Sequence, residues 1–170
     1  MLVLVVPGKP EPQGSVRAFV PQKDGKPMRR PDGSVIVNLT SDNPALKRWR
    51  QSVGAAALPL RPTVHERGVA VAVEVTFFLA RPLNQMGTGR NAGVVKDQAP
   101  AAPVVMPDVD KLARATLDAL TGVAFEDDSQ VVDLVARKRY ASGEPWTRIV
   151  VRRCEVQTQL DAAPPQMALA

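Results

Sequence analysis

Hydrophobic residues make up 45% of this 170-residue chain, enough to bury one core, and 22 basic against 17 acidic residues leave a net charge of +5. One cysteine, Cys154, rules out an internal disulfide, and one histidine, His65, leaves no zinc cage, so a metal would have to be held by oxygen. No run approaches the roughly 18 apolar residues that span a bilayer, and Met1 to Pro7 is too short for a signal peptide, so the expected setting is a reducing cytoplasm.

In chain order, strands are expected near residues 2–6, 16–20 and 35–39, with Lys23 to Gly33 forming a polar hairpin tip. Asn43-Pro44 supplies an N-cap and a proline at the first helical position, and Leu46, Trp49, Val53 and Ala57 then recur at helical spacing up to Pro59. This helix turns Trp49 inward and exposes Lys47, Arg48 and Arg50. The alternation of Val69, Val71, Val73, Val75, Phe77 and Leu79 marks a strand over 69–80. Residues 83–105, rich in Gly, Ala and Pro, read as a long flexible loop, and loops of that length are more often functional than merely connective. Pro107 lacks an N–H and favours extended backbone before it, while Val109, Leu112, Ala113, Thr116 and Leu120 form a helical stripe, so a helix begins between Asp108 and Asp110. Thr121-Gly122 ends it, and Glu126-Asp127-Asp128 turns into a strand over 130–140, followed by another over 147–156 that contains Cys154 as a small buried side chain. The expected fold is a single α+β domain over residues 1–156, a mixed or largely antiparallel sheet covered by two helices. Residues 157–170, with Pro164-Pro165, are expected to form a disordered tail.

The acid of this basic chain is concentrated between Asp108 and Asp133. Seven carboxylates there (108, 110, 118, 126, 127, 128 and 133) meet only two bases, Lys111 and Arg114, and the rest of the chain holds 20 bases against 10 acids. A positive body around a carboxylate cluster suits an enzyme that captures a polyanion and acts on it with a divalent metal, which points toward nucleic acid. If residues 108–110 are extended, Asp108 and Asp110 face the same side and can share a cation; on a continuous helix they diverge by about 200°. A third oxygen ligand could come from the start of the next strand, and oxygen-only sites select Mg²⁺ or Mn²⁺.

Asp108-Val109-Asp110, the helix ending Leu117-Asp118-Ala119-Leu120, the block Glu126-Asp127-Asp128-Ser129-Gln130-Val131-Val132-Asp133 and the basic Arg137-Lys138-Arg139 resemble the RusA family of Holliday junction resolvases, common in phages and prophages. Val6-Pro7-Gly8-Lys9-Pro10 and Gln13-Gly14-Ser15-Val16-Arg17 are similar to that family's opening strand and turn, so the resemblance spans most of residues 1–156. It implies a RusA-like fold and a Mg²⁺-dependent endodeoxyribonuclease, with Mn²⁺ a plausible substitute, that resolves four-way DNA junctions by paired symmetric nicks in recombination and repair. It further implies a homodimer, with no small-molecule cofactor and no membrane partner. Asp108, Asp110 and Asp128 take the implied role of metal-binding carboxylates, with Asp127 their neighbour. Two departures stand out: Lys111 replaces an Asn directly after the second aspartate, and Arg114 replaces a catalytic lysine four residues after it. Arg114 is the expected electrostatic catalytic group, with Lys111 secondary. The basic residues Arg17, Lys47, Arg50, Arg137 and Arg139 are the candidate DNA contacts.

Each feature has a plainer competitor. Asp108 and Asp110 also suit a helix N-terminus, where each contributes about 0.3–1 kcal/mol. Asp118 lies four residues after Arg114, the spacing of a helix-surface ion pair. Arg137 and Arg139 share one face of their strand and Lys138 the other, as either solvated charges or a phosphate-contacting row. The corresponding alternative functions are a non-catalytic junction-binding protein and a nuclease that prefers flaps or other branched DNA.

Overall fold

The computed structural model describes residues 1–14, 17–40 and 44–154. The capping role expected of Asn43 and the tail expected over 157–170 lie outside the described residues. Strands β1 (Leu2–Pro7), β6 (Val71–Leu79), β7 (Val131–Tyr140) and β8 (Trp146–Arg153) form a four-stranded sheet in the order β1-β8-β6-β7. β8 runs antiparallel to both β1 and β6, whereas β6 and β7 are parallel, so the sheet is mixed. A parallel pair needs a crossover, and helix α2 (Val109–Leu120) lies within it.

Alternation decides which side is core. Val71, Val73, Val75, Phe77 and Leu79 of β6 are buried together with Leu4 and Val6 of β1 and Ile149 and Val151 of β8. Helix α1 (Pro44–Ala57) adds Leu46, Trp49, Val53 and Ala57, as its periodicity predicts, and α2 adds Leu112, Ala115, Ala119 and Leu120. Each large apolar side chain buried here contributes about 1.5–3 kcal/mol. Cys154 is half-buried rather than fully enclosed, at the end of β8 where its N–H donates to the Ala70 carbonyl.

The opposite face of the sheet carries charge. Glu74 accepts Arg137 at 3.0 Å and lies 4.0 Å from Arg148, while Asp133 pairs with Arg152 at 3.6 Å. Phe78 and Trp146 stack beside them at 4.0 Å between ring centroids.

Two smaller pairings complete the topology: β2 (Arg17–Phe19) with β5 (Asn38–Thr40), and β3 (Gln22–Lys23) with β4 (Lys26–Pro27). The β3–β4 turn is Asp24-Gly25, both at positive φ (52° and 73°), as a two-residue hairpin turn of this hand requires.

Residues 83–105 are not structureless. They contain 3₁₀ turns at Leu83–Gln85 and Gly89–Asn91, a bridge between Met86 and Val95, and reciprocal bonds from the Gly87 N–H to the Val94 carbonyl and from the Lys96 N–H to the Gln85 carbonyl. A side chain at Gly87 would overlap the Asn91 carbonyl, so the close crossing needs glycine. Arg81 fastens the base of this excursion, donating to Gln85 and to the Pro100 carbonyl while lying over the Tyr140 ring at 3.8 Å.

Candidate active site

The carboxylates sit where the chain leaves residues 83–105 and enters α2. Lys138, on the helix-facing side of β7, donates from Nζ to the carbonyls of Val105 (2.8 Å) and Pro107 (2.9 Å), pinning the approach to the helix. The Met106–Pro107 peptide within that approach is cis. From the other side the N-terminal segment closes in, with the Gln13 N–H donating to the Lys111 carbonyl at 2.9 Å. Between these two segments lies a groove lined by Lys9, Glu11, Gln13, Pro107, Asp108 and Lys111.

Asp108 is the N-cap residue, with extended backbone (φ −68°, ψ 140°), but its side chain makes no cap hydrogen bond. Asp108 is extended whereas Val109 and Asp110 are already helical, so neither the alternation of a strand nor the divergence of a continuous helix describes how Asp108 and Asp110 sit. The Asp108 carboxylate instead meets Lys111 Nζ at 3.0 Å. That hydrogen bond and the charge of Asp108, then the charge of Asp110, push the Lys111 ammonium above its ordinary pKa. Arg114, one turn further on, is exposed and has no ion-pair partner among the described residues.

Asp118 does not pair with Arg114. It accepts from Arg50 of α1 at 2.6 Å, and the same guanidinium donates to Gln13 Oε1 at 3.1 Å, which ties α1, α2 and the N-terminal segment together. Arg50, expected on DNA, is thus engaged within the fold, as is Arg137 by Glu74. Arg139 lies exposed, its guanidinium donating to the Lys138 carbonyl, and Lys47 is exposed on α1. Arg17 opens β2.

The block Glu126-Asp127-Asp128-Ser129-Gln130 divides its labour. Asp127 caps the 3₁₀ turn Asp128–Gln130, accepting from the Ser129 N–H, and Gln130 reaches back to the N–H groups of Glu126 and Asp127 at 3.0 Å each. Hydrogen bonds from Ser129, with a smaller contribution from the charge of Arg67, hold the Asp127 carboxyl below the usual carboxylate range. Gln130 is buried, and its Nε2 serves the carbonyls of His65, Glu66 and Val69. Asp128 alone of this block's central residues is presented outward without a partner among the described residues. Lys138 and Gln130 were not singled out as site builders by the sequence; an apolar-facing lysine and a glutamine three residues after an aspartate are the signals that could have found them.

One chain does not bring the three carboxylates together. The Asp108 end of α2 is fixed beside Lys138, late in β7, whereas Asp128 directly precedes β7 beside the segment 65–69, whose His65 N–H donates to the Ala124 carbonyl just after α2. A helix of 12 residues at about 1.5 Å per residue is about 18 Å long, so Asp108 and Asp128 lie at opposite ends of it. Among the described residues no three of His, Cys, Asp and Glu are grouped to hold a metal ion. Asp108 and Asp110 have the right donor chemistry for a hard divalent cation, and the ammonium held at 3.0 Å shows that the position attracts positive charge. Asp128 of the same chain cannot complete that set.

A small mixed sheet backed by two helices, with outward carboxylates where a long excursion enters a helix in an otherwise basic chain, defines an α+β domain whose charge suits an enzyme acting on a polyanion. Its particular lineage follows from comparison with known proteins. The sequence model of the family described as Endodeoxyribonuclease RusA matches residues 19–152, and the chain belongs to that family, whose activity is endodeoxyribonucleolytic. It is also similar to the Bacillus subtilis (strain 168) protein described as uncharacterized protein YqaN, with 30% identity over 146 residues, covering 85% of this chain and 91% of that one. No helix among the described residues is long and apolar enough to cross a membrane.

Proposed function

We propose that this protein is a Mg²⁺-dependent, structure-selective endodeoxyribonuclease that resolves four-way DNA junctions by paired nicks, in the cytoplasm and in the service of recombination or repair. The observation that carries the reading is the division of labour among its acids. Asp118 and Asp127 are consumed in holding the fold, whereas Asp108, Asp110 and Asp128, the three to which the sequence resemblance assigns the metal, are not.

Two copies complete the site in this reading. Among the described residues β7 is an edge strand of 10 residues with one edge unpaired, and it exposes Val132 and Leu134. Exposed edges of that length invite pairing with another chain. Antiparallel pairing of two β7 edges about Leu134 would lay the Asp128 end of one copy beside the Lys138 end of the other, where Asp108 and Asp110 enter α2. Two such sites related by a two-fold axis suit two nicks in opposed strands.

Asp108 and Asp110 of one copy, with Asp128 of the other, would hold Mg²⁺, which when bound supplies an activated water and neutralises charge on the phosphate. The chain's own contribution surrounds it. Because Asp108 makes no cap bond, first-turn N–H groups of α2 remain free to meet a phosphate oxygen. Arg114 offers a planar guanidinium one turn from Asp110, suited to two phosphate oxygens. A guanidinium is a poor proton-transfer group, so the role proposed for Arg114 is electrostatic.

The test is a labelled synthetic four-way junction incubated with the protein, with and without Mg²⁺. Paired symmetric nicks only with metal support the proposal. Binding without cleavage indicates an architectural protein, and cuts confined to flaps or forks indicate a different branch preference.

A further inference from the structure

Lys111 stands directly after the second of two adjacent carboxylates, inside the groove between the N-terminal segment and α2. Its ammonium lies 3.0 Å from Asp108 Oδ2, and Asp110 immediately precedes it in the chain. Asp108, which as N-cap residue would ordinarily accept from its own helix, is turned instead to this lysine. The lysine is tethered within three residues of its acceptor, so its effective concentration at the carboxylate is high and it cannot diffuse away.

We propose that Lys111 is a resident counter-ion for Asp108, one that a divalent cation must displace before Asp108 and Asp110 can hold it. This rests on the reading of Asp108 and Asp110 as metal ligands. The lysine sets the divalent concentration at which the site loads. It stabilises Asp108 in the metal-free protein and keeps trace cations from occupying the two acids. Once displaced, its ammonium is freed at the rim of the same groove, beside Lys9.

The test is Mn²⁺ binding to the purified full chain without DNA, read from the loss of the free-ion electron paramagnetic resonance signal. Lys111→Asn should bind Mn²⁺ about two- to fivefold more tightly than the unsubstituted chain, the range expected for removing an exposed competing ion pair. Lys9→Gln removes an equal charge from the same groove but not the Asp108 contact, and it should change affinity less. Lys111→Gln, longer than Asn and equally neutral, should reproduce the tighter binding. Equal affinity of Lys111→Asn and the unsubstituted chain, or an equal gain in Lys9→Gln, overturns the counter-ion role while leaving the metal reading intact. Mn²⁺ binding that survives Asp108→Asn and Asp110→Asn, or no binding in any variant, overturns the metal reading, and the counter-ion role with it.

Discussion

Gln130 is the side chain on which the position of Asp128 depends, and its replacement makes a quantitative test. Its Oε1 accepts from two N–H groups at 3.0 Å, and its Nε2 serves three carbonyls at 2.7, 3.1 and 3.3 Å in a buried setting. Gln130→Met keeps the length and apolar stem but leaves these groups unsatisfied. Two hydrogens on Nε2 shared by three carbonyls, plus two accepted bonds, amount to about four effective hydrogen bonds at about 1 kcal/mol each, so the expected loss is about 4 kcal/mol. For a domain of this size that lowers Tm by roughly 8–16 °C. Gln130→Glu should be worse at pH 7.5, because a carboxylate then faces three carbonyls, and it should recover as pH falls. Its folded-state pKa lies above the unfolded one, so the folded protein binds the extra proton and stability rises as pH drops through the raised value. Urea denaturation at pH 7.5 and 5.0 measures both effects. A Gln130→Met stability within about 1 kcal/mol of the unsubstituted protein, or a Gln130→Glu deficit that does not shrink in acid, would refute the clamp.

Asp108→Asn, Asp110→Asn and Asp128→Asn should each abolish Mg²⁺-dependent junction nicking while binding persists in gel shifts, since the amides keep shape but not charge. Arg114→Ala should remove most cleavage and Arg114→Lys retain it in single-turnover assays, whereas cleavage unaffected by Arg114→Ala would dismiss its electrostatic role. Junction affinity should fall with salt at a log-log slope near −4.5 if about five phosphates are neutralised, and a flat response would exclude the basic surface. The depressed Asp127 carboxyl contributes stability above its unfolded pKa that is lost as pH falls through the folded value. Asp127→Asn, which preserves the cap, should therefore flatten that acid-side loss in thermal melts.

Much of the fold was legible because local pattern and tertiary burial agree. The alternation of β6 and the helical stripes of α1 and α2 correspond to the sides that are buried, and the two helices on a mixed sheet follow. The parallel β6–β7 pairing was not legible, since the apolar pattern gives strands but not their order. Nor was the internal bonding of residues 83–105, which rests on backbone groups and a glycine contact rather than on side-chain periodicity. The i,i+4 spacing of Arg114 and Asp118 suggested an ion pair, but α1 packs against α2 and delivers Arg50 to the same carboxylate at 2.6 Å. The cluster of acids is legible in the sequence as a run of seven carboxylates between Asp108 and Asp133. Their separation was not, because distance along α2 becomes visible only once the fold sets Pro107 beside Lys138 and the chain after α2 beside His65.

The central claim is that the cutting site is built between two copies. Asp108→Asn and Asp128→Asn, each inactive alone, should be co-refolded so that mixed dimers form, then given a labelled four-way junction and Mg²⁺. In a mixed dimer one shared site carries both substitutions and the other carries neither, so the account predicts that single nicks reappear. Should the mixture stay as inactive as its parents while mixed dimers are present, each site would lie within one chain and the account would be contradicted.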